Sequence, residues 1–221
     1  MKTRNCFIQG PGGNLDVHGT NSKRLAEVWM DDYKRLYYAH RRDLVDKNVG
    51  DLSERIALRK RLNCKNFRWY LENVIPDKFV PDENVLGYGA FRNPKSEFCL
   101  DTLQQDEKKK IPISVFFCQP AGSQAQLFSL TKSGQFRREL NCARVEIVSR
   151  TDVNASRRAV LGPCSSSASD QKWEWNNENG LMRNVESNLC MDLSQVKSKS
   201  NVLMRNCDAE NAFQKWEFVL Y

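Results

Sequence analysis

The chain has 221 residues, of which 40% are hydrophobic and 28% are charged, and its formal net charge is +7. This composition fits one large or two small globular domains and excludes disordered, collagen-like and coiled-coil proteins. No apolar run approaches the roughly 20 residues that a membrane-spanning helix needs, so we predict no membrane anchor within this sequence.

Six of the seven excess positive charges lie before residue 81. A basic segment favours nucleic-acid binding, but the sequence contains neither a zinc-ligand pattern nor a Gly-rich RNA-binding motif. The aromatic residues of this segment follow helical spacing, which is typical of core packing. We therefore predict no nucleic-acid partner.

Hydrophobic periodicity predicts three amphipathic helices before residue 77. Their expected ranges are 22–40, 51–64 and 67–75. Asp51 and Glu54, three residues apart, form the sequence pattern of a capping box at the start of the second helix. The buried side of that helix is expected to hold Leu52, Ile56 and Leu62. Pro76 ends the third helix.

Asp16 and His18 spell Asp-x-His, a pattern found in metal-ligand pairs. The motif lies in a Gly-rich stretch instead of following an apolar strand, and His40 is the only other histidine of the chain. A third ligand is therefore lacking. We predict an exposed loop here and no metal site.

Eight cysteines are many for a reducing compartment, and no two of them are spaced as zinc ligands. The last six fall into three successive pairs, Cys99 with Cys118, Cys142 with Cys164, and Cys190 with Cys207. They indicate a disulfide framework formed in an oxidising compartment, and the glycosylation sequence that begins at Asn154 agrees with this. No apolar signal-peptide core follows Met1, so we expect the chain to be part of a longer protein.

Beyond Pro76 the sequence repeats itself three times, with a Gln-x-aromatic triplet in each unit of about 45 residues. The triplets begin at Gln126, Gln171 and Gln214. Units this small must share one core, and a propeller needs at least four blades, so we predict a closed three-fold barrel, the β-trefoil. The aromatic residues are expected to fill the barrel, and the glutamines to bond the backbone of the adjoining turn.

The predicted chain is therefore mostly β, with a small α-helical segment before the trefoil. The expected boundaries are a helical segment at 1–80, a linker at 81–87 and a trefoil at 88–221, with repeats at about 88–132, 133–178 and 179–221.

Two groups of residues carry a resemblance to known proteins. The repeats, with Cys-Leu-Asp at 99–101 and Cys-Met-Asp at 190–192, resemble a ricin B-type lectin domain. Three earlier strings resemble the end of the catalytic domain of polypeptide N-acetylgalactosaminyltransferases, a domain of the GT-A fold. They are Pro-Gly-Gly at 11–13, Glu-Val-Trp-Met-Asp at 27–31 and Trp-Tyr-Leu-Glu-Asn at 69–73. The resemblance covers nearly the whole chain.

The resemblance implies a role in mucin-type O-glycosylation in the Golgi lumen. Enzymes of this family are type II membrane proteins that use manganese to transfer GalNAc from UDP-GalNAc to Ser or Thr of acceptor polypeptides, and their lectin domain binds GalNAc-bearing glycopeptides. The family's nucleotide-binding strands, metal motif and His-rich segment have no counterpart here. We therefore predict no catalytic residue and no cofactor in this chain.

The resemblance also implies a sugar pocket built on a carboxylate, an aromatic face and an amide. Asp101 and Asp192 hold the carboxylate position, whereas Arg144 takes it in the middle repeat. The family's amide precedes the Gln of each triplet, at the positions of Ala125, Asp170 and Phe213. Asn211 replaces this amide in the third repeat only if the local loop shifts, and the predicted carbohydrate-binding residues are Asp101, Asp192 and Asn211.

Three interpretations stay open at this point. The chain is the GalNAc-binding lectin part of such a transferase, or an active transferase once joined to a missing segment, or a decayed scaffold in which Asp101 and Asp192 only tie down turns. Cys64 is expected to be unpaired because its partner in the family lies in the missing segment, and Cys6 has no assignment.

Overall fold

The structure is a computed structural model, and it describes residues 16–148 and 157–220. The chain divides into two compact units, with the boundary between Lys78 and Phe79. Cys6, the Pro-Gly-Gly string and the sequence around Asn154 lie outside the described residues.

The described part of the first unit is helical. It contains α1 (Val17–Trp29), α2 (Lys34–Tyr38), α3 (Ser53–Arg61) and α4 (Phe67–Asn73), with 3-10 turns at Asp31–Tyr33 and Arg42–Leu44. The buried ammonium of Lys23 on α1 donates to the carbonyl oxygens of Leu44 at 2.8 Å and Val45 at 2.6 Å. A buried cation of this kind needs several acceptors, and here it fastens the second turn to α1.

The first helix differs from its predicted range in two ways. It begins at Val17 instead of Ser22 because the Asp16 carboxylate accepts a hydrogen bond from the Gly19 amide at 2.7 Å and caps the helix. It is also interrupted after Trp29, where Asp31 adopts a left-handed φ of 50°. The exposed loop predicted at Asp16 is therefore wrong, since this residue starts a helix.

The capping box predicted at Asp51 is also wrong. The helix begins at Ser53, and the Asp51 carboxylate accepts from the Ser53 amide and hydroxyl, both at 2.8 Å, ahead of the first turn. This short-range arrangement satisfies the carboxylate locally, as Asp commonly does in turns. The third predicted helix, α4, is capped by Asn66, whose side chain accepts a hydrogen bond from the Trp69 amide at 2.8 Å.

Two of the three residues predicted for the buried side of α3 are exposed, with Ile56 40% and Leu62 61% accessible, whereas Leu52 is partly buried. A polar contact helps to hold this helix. The Arg59 guanidinium donates to the Val28 carbonyl and to the Asp31 carboxylate, both at 2.7 Å. The side of α3 that carries Arg59 and the partly buried Leu58 therefore faces α1, and Ile56 faces outward.

The described part of the second unit consists of thirteen short strands. They are β1 (Val85–Asn93), β2 (Phe98–Asp101), β3 (Ile111–Pro112), β4 (Ser114–Phe117), β5 (Leu127–Thr131), β6 (Phe136–Arg138), β7 (Asn141–Ile147), β8 (Arg157–Pro163), β9 (Trp173–Trp175), β10 (Met182–Asn184), β11 (Leu189–Asp192), β12 (Leu203–Asn206) and β13 (Glu217–Val219).

Six of these strands close into a barrel, two from each repeat. Antiparallel ladders join β1 to both β5 and β13, β5 to β6, and β9 to β10. Two single bridges, from Gln135 to Lys172 and from Leu181 to Lys215, complete the ring. The remaining long strands form one hairpin per repeat, namely β2 with β4, β7 with β8, and β11 with β12. This is the β-trefoil predicted from the repeats.

Two glycines permit the ring to close. Gly134 and Gly180 have φ of 88° and 77°, a region that favours glycine. Their carbonyl oxygens accept from the Trp173 amide at 2.7 Å and the Trp216 amide at 2.8 Å. A side chain at Gly180 would place its Cβ only 3.1 Å from the Trp216 nitrogen.

The aromatic residues of the three triplets fill the barrel as predicted. Phe128, Trp173 and Trp216 are all buried in one hydrophobic core. Phe128 stacks on Phe136 with ring centroids 5.2 Å apart, and Trp216 stacks on Phe91 at 5.3 Å. Stacking of this kind adds to the burial of the rings themselves.

Each hairpin is closed by a disulfide between its two sides. The bonds join Cys99 to Cys118, Cys142 to Cys164, and Cys190 to Cys207, the same pairs that the sequence predicts. Within the described residues Cys64 is free and exposed.

The segment before β1 already packs on the trefoil. Phe79 lies against the Arg137 guanidinium, 3.9 Å from its ring centroid, and the Pro81 carbonyl accepts from the Ser129 hydroxyl at 2.7 Å. Val85 to Gly87, predicted as linker, belong to β1. The contact between the Phe79 ring and the Arg137 side chain, which is both aliphatic and cationic, explains why this stretch stays packed on the trefoil.

Candidate functional site

The first repeat places Asp101 at the end of β2, 3% exposed. One oxygen of its carboxylate, Oδ1, accepts from the Leu103 amide at 2.6 Å. The other, Oδ2, accepts from Nε2 of Gln126 at 2.8 Å. An ionised carboxylate has about four acceptor positions, so two remain after these bonds.

The glutamine that holds Asp101 also clamps the end of the hairpin. Gln126 Oε1 accepts from the Gln119 amide at 3.0 Å, and its Nε2 donates to the Phe117 carbonyl at 2.9 Å. These two backbone groups flank Cys118. Gln171 and Gln214 make the same pair of bonds around their own cysteines. The backbone role predicted for the three glutamines is confirmed.

The third repeat has a more occupied carboxylate. Asp192 is 1% exposed and accepts from the Ser194 amide at 2.6 Å and from Gln214 Nε2 at 2.8 Å. Asn211 Nδ2 donates a third hydrogen bond, 3.1 Å from Asp192 Oδ2. The Arg205 guanidinium lies 3.8 Å from the other oxygen. Asn211 thus reaches the carboxylate, and in doing so it takes up acceptor capacity that a sugar would use.

The middle repeat has a different set of charges in the equivalent positions. Arg144 stands where the other repeats have aspartate, and its Nε lies 3.5 Å from the carboxylate of Asp170, the residue before Gln171. Gln171 therefore has no carboxylate partner among its hydrogen bonds. An ion pair thus takes the place of the buried carboxylate that the other two repeats have, which agrees with a structural role for this repeat.

The strand register identifies an aromatic residue that the sequence did not assign. Phe116 lies opposite Cys99 in the first hairpin, and because alternate residues share a face of a sheet, it lies on the same face as Asp101. The corresponding residues opposite Cys142 and Cys190 are Gly162 and Arg205. Phe116 is partly exposed, so among these three register positions only that of the first hairpin places an aromatic ring on the face of an aspartate. In the sequence, Phe116 could have been recognised by its position two residues before Cys118, the second cysteine of the first repeat.

A residue from another repeat borders this ring. The ammonium of Lys199 lies 5.8 Å from the centroid of Phe116. The loop that carries it is bonded to β4 through the Lys199 amide, which donates to the Val115 carbonyl at 2.7 Å. The first candidate pocket is therefore bordered by side chains of two repeats.

The residues described here do not fit a manganese site. No group of three or more His, Cys, Asp or Glu is placed to hold a metal ion within 16–148 and 157–220. In the Asp-x-His motif, the Gly19 amide and the Arg41 guanidinium hold the pKa of Asp16 below its usual range by bonding its carboxylate. Helix capping thus accounts for Asp16.

Comparison with known proteins decides the family. Residues 87–216 match the model of the ricin-type β-trefoil lectin domain. The chain belongs to this lectin family. The hairpins that carry Asp101 and Asp192 are thus parts of a lectin fold.

None of the helices among the described residues is long and apolar enough to span a membrane.

The lectin and the helical unit together resemble glycosyltransferases, as the sequence predicts. The chain is 49% identical over 96% of its length to probable N-acetylgalactosaminyltransferase 9 of Caenorhabditis elegans, of which it covers 35%. It is 36% identical over 99% of its length to polypeptide N-acetylgalactosaminyltransferase 6 of Mus musculus, covering 34% of that protein. The chain therefore spans about a third of the length of these curated relatives.

A solved structure shows the same fold. The crystal structure of GalNAc-T7 with UDP, GalNAc and Mn2+ superposes with a TM-score of 0.60 and 24% identity, covering 91% of this chain and 36% of that one.

Proposed function

We propose that this chain is the GalNAc-binding lectin part of a polypeptide N-acetylgalactosaminyltransferase that acts in mucin-type O-glycosylation, and that its first repeat holds the principal sugar site. The observation that carries the proposal is that Asp101 and the partly exposed ring of Phe116 lie on the same face of the first hairpin. A carboxylate with spare acceptor positions beside an aromatic face suits a sugar ring, which has hydroxyls on its rim and C–H groups on its faces.

The third repeat is the weaker candidate. Asp192 already accepts three hydrogen bonds and faces Arg205 where the first repeat has Phe116. A sugar would have to displace the Asn211 amide or share its acceptor, and at the position equivalent to Phe116 it would meet Arg205 in place of an aromatic ring. We therefore rank Asp101 first and Asp192 second, with Asn211 as a fixed partner of Asp192.

The wider proposal follows from the relatives. The helical unit that ends at Lys78 is the end of a GT-A catalytic domain, and the lectin unit begins at Phe79. The working protein acts in the Golgi lumen on GalNAc-bearing glycopeptides and acceptor polypeptides. Transfer from UDP-GalNAc with manganese belongs to the whole protein, since its relatives are about three times as long as this chain.

One observation favours the decayed scaffold as a second candidate. Asp101 and Asp192 are almost fully buried, and both are bonded to turns within their own repeat. In this alternative the carboxylates stabilise the hairpins and bind no ligand.

A glycopeptide column separates the two candidates. The 221-residue chain should be retained on immobilised GalNAc-Thr peptide, and Asp101→Asn should abolish retention, because losing a charged acceptor costs about 1.5 to 3 kcal/mol per bond, roughly 10- to 150-fold in affinity. Phe116→Leu, which disturbs no hydrogen bond of Asp101, should weaken retention as well.

Arg144→Ala serves as the matched control in the middle repeat and should leave retention unchanged. Retention that survives the double change Asp101→Asn and Asp192→Asn places the sugar elsewhere. If the unmodified, folded chain passes the column without delay, the scaffold interpretation is correct.

A further inference from the structure

A groove of about 960 Å³ lies between the first and second repeats of the trefoil. It is lined by residues 102–108 after β2, by 123–125 before β5, and by 138–141 between β6 and β7. This size is within the range of small-molecule binding sites. None of the residues assigned to sugar binding above lines it.

Several polar side chains in the groove have no partner within the described residues. The side-chain amides of Gln104, Gln105 and Gln124 make no hydrogen bond there. The hydroxyl of Thr102, a residue only 1% exposed, is buried and also without a partner. Buried polar groups are nearly always paired, so the unpaired hydroxyl of Thr102 is the group that indicates a polar ligand. The amides of Gln104 and Gln124 are exposed to solvent and are free to bond such a ligand.

The groove is held in shape by a buried arginine. Arg138, 7% exposed, forms an ion pair with Glu107 at 2.8 Å and donates to the Leu127 carbonyl at 2.7 Å. Its guanidinium also donates to the Gln124 carbonyl, and Asn141 Nδ2 donates to the Glu107 carbonyl at 2.9 Å. Both the 102–108 loop and the 123–125 turn are thus bonded to one side chain. A preformed site of this kind binds without a large ordering cost.

The inner end of the groove adjoins the candidate sugar site. The Thr102 amide donates to the Ala125 carbonyl at 3.1 Å, and both residues line the groove. Their neighbours in sequence are Asp101 and Gln126, which are bonded to each other at 2.8 Å. Ala125, where the resemblance expects an amide, adds no polar side chain at this junction. A ligand larger than one sugar, held at Asp101, would therefore reach the inner end of the groove.

The charges that line the groove do not favour an acidic ligand. Arg138 and Glu107 neutralise each other. The remaining charged residues are Asp106, Lys108 and Glu139, which leave one excess negative charge. Amides with both donor and acceptor atoms match hydroxyl groups.

We propose that this groove binds a second, uncharged sugar attached to the sugar held at Asp101, so that the lectin prefers a disaccharide to GalNAc alone. The inference rests on the proposed function of Asp101. Gln104 and Gln124 hydrogen-bond the hydroxyls of the second sugar, and Thr102 bonds it after a small movement of the loop.

Three glycopeptides test the proposal by titration calorimetry with the 221-residue chain. They are one Thr-containing peptide carrying GalNAc, the same peptide with a galactose joined to the GalNAc, and the disaccharide form with an added sialic acid. We expect the disaccharide to bind about fivefold tighter than GalNAc, the gain of one or two neutral hydrogen bonds. The sialylated form should bind no tighter than the disaccharide.

The double variant Gln104→Met and Gln124→Met keeps side-chain length but removes both amides. It should abolish the preference and leave the dissociation constant for the GalNAc peptide unchanged. Gln195→Met is the matched control, because Gln195 follows Asp192 by three residues and has φ of 71°, as Gln104 follows Asp101 with φ of 57°. This control should keep the full preference.

Equal affinity for the two neutral glycopeptides, or a preference that survives in the double variant, overturns the inference. Binding of the disaccharide through Gln104 and Gln124 in Asp101→Asn supports the groove while refuting the Asp101 site. If no glycopeptide binds, both proposals are refuted.

Discussion

The glutamine clamp gives the most direct test of how the repeats are stabilised. Gln126→Leu removes three hydrogen bonds, to the Gln119 amide, the Phe117 carbonyl and the Asp101 carboxylate. Gln171→Leu in the middle repeat removes the two backbone bonds only, because Arg144 replaces the aspartate there. The difference between the two variants in free energy of unfolding therefore measures the contribution of the bond between Gln126 and the buried Asp101 carboxylate.

The expected magnitudes follow from burial. The backbone groups beside Cys118 and Cys164 lie near the surface, where water replaces part of the lost bonding, so Gln171→Leu should cost about 1 to 2 kcal/mol. Asp101 is 3% exposed and would keep only its bond to the Leu103 amide. A buried charge that loses a partner costs about 2 kcal/mol more, which places Gln126→Leu at about 3 to 4 kcal/mol.

Urea unfolding followed by tryptophan fluorescence measures these values. Trp29 and Trp69 of the helical unit are first replaced by Phe, so that the signal comes from tryptophans of the trefoil. Non-reducing conditions keep the three disulfides in every sample. Equal losses for Gln126→Leu and Gln171→Leu would refute the view that the carboxylate depends on its glutamine.

Two further predictions concern pH and activity. The Arg59 guanidinium, assisted by the Phe67 amide, holds the pKa of Asp31 below its usual range. The ionised carboxylate therefore stabilises the helical unit above its unfolded-state pKa, about 3.9, and this stability is lost as the pH falls through the lower folded-state value. Asp31→Asn suits the left-handed backbone there and should flatten the loss of helical circular dichroism on acidification; parallel curves for the two proteins would contradict the role of the ion pair. The 221-residue chain should also transfer no GalNAc from UDP-GalNAc to a Thr-rich peptide with manganese, because the nucleotide-binding strands and metal motif of the family have no counterpart in its sequence. Turnover by a preparation free of other transferases would show this to be wrong.

The sequence by itself determined the trefoil, the lectin family and the pairs of cysteines. These features repeat along the chain at nearly constant spacing, and each repeat closes its own hairpin with residues about twenty positions apart. Local periodicity also located the helices. Their ends were missed. The cap at Asp16 is a local bond from the Gly19 amide inside a Gly-rich stretch, whereas the left-handed residue Asp31 is bonded to Arg59 from later in the chain.

Tertiary structure alone decided which side chains surround the two carboxylates. The sequence already ranks Asp101 ahead of Asp192, because Phe213 occupies the amide position of the third repeat, and strand register then adds Phe116 near the first carboxylate and Arg205 near the second. The groove depends on Arg138 meeting Glu107, and the border of the first pocket on Lys199 meeting Phe116. These contacts join residues from different loops and repeats, whose positions follow from closure of the barrel and leave no periodic signal in the sequence.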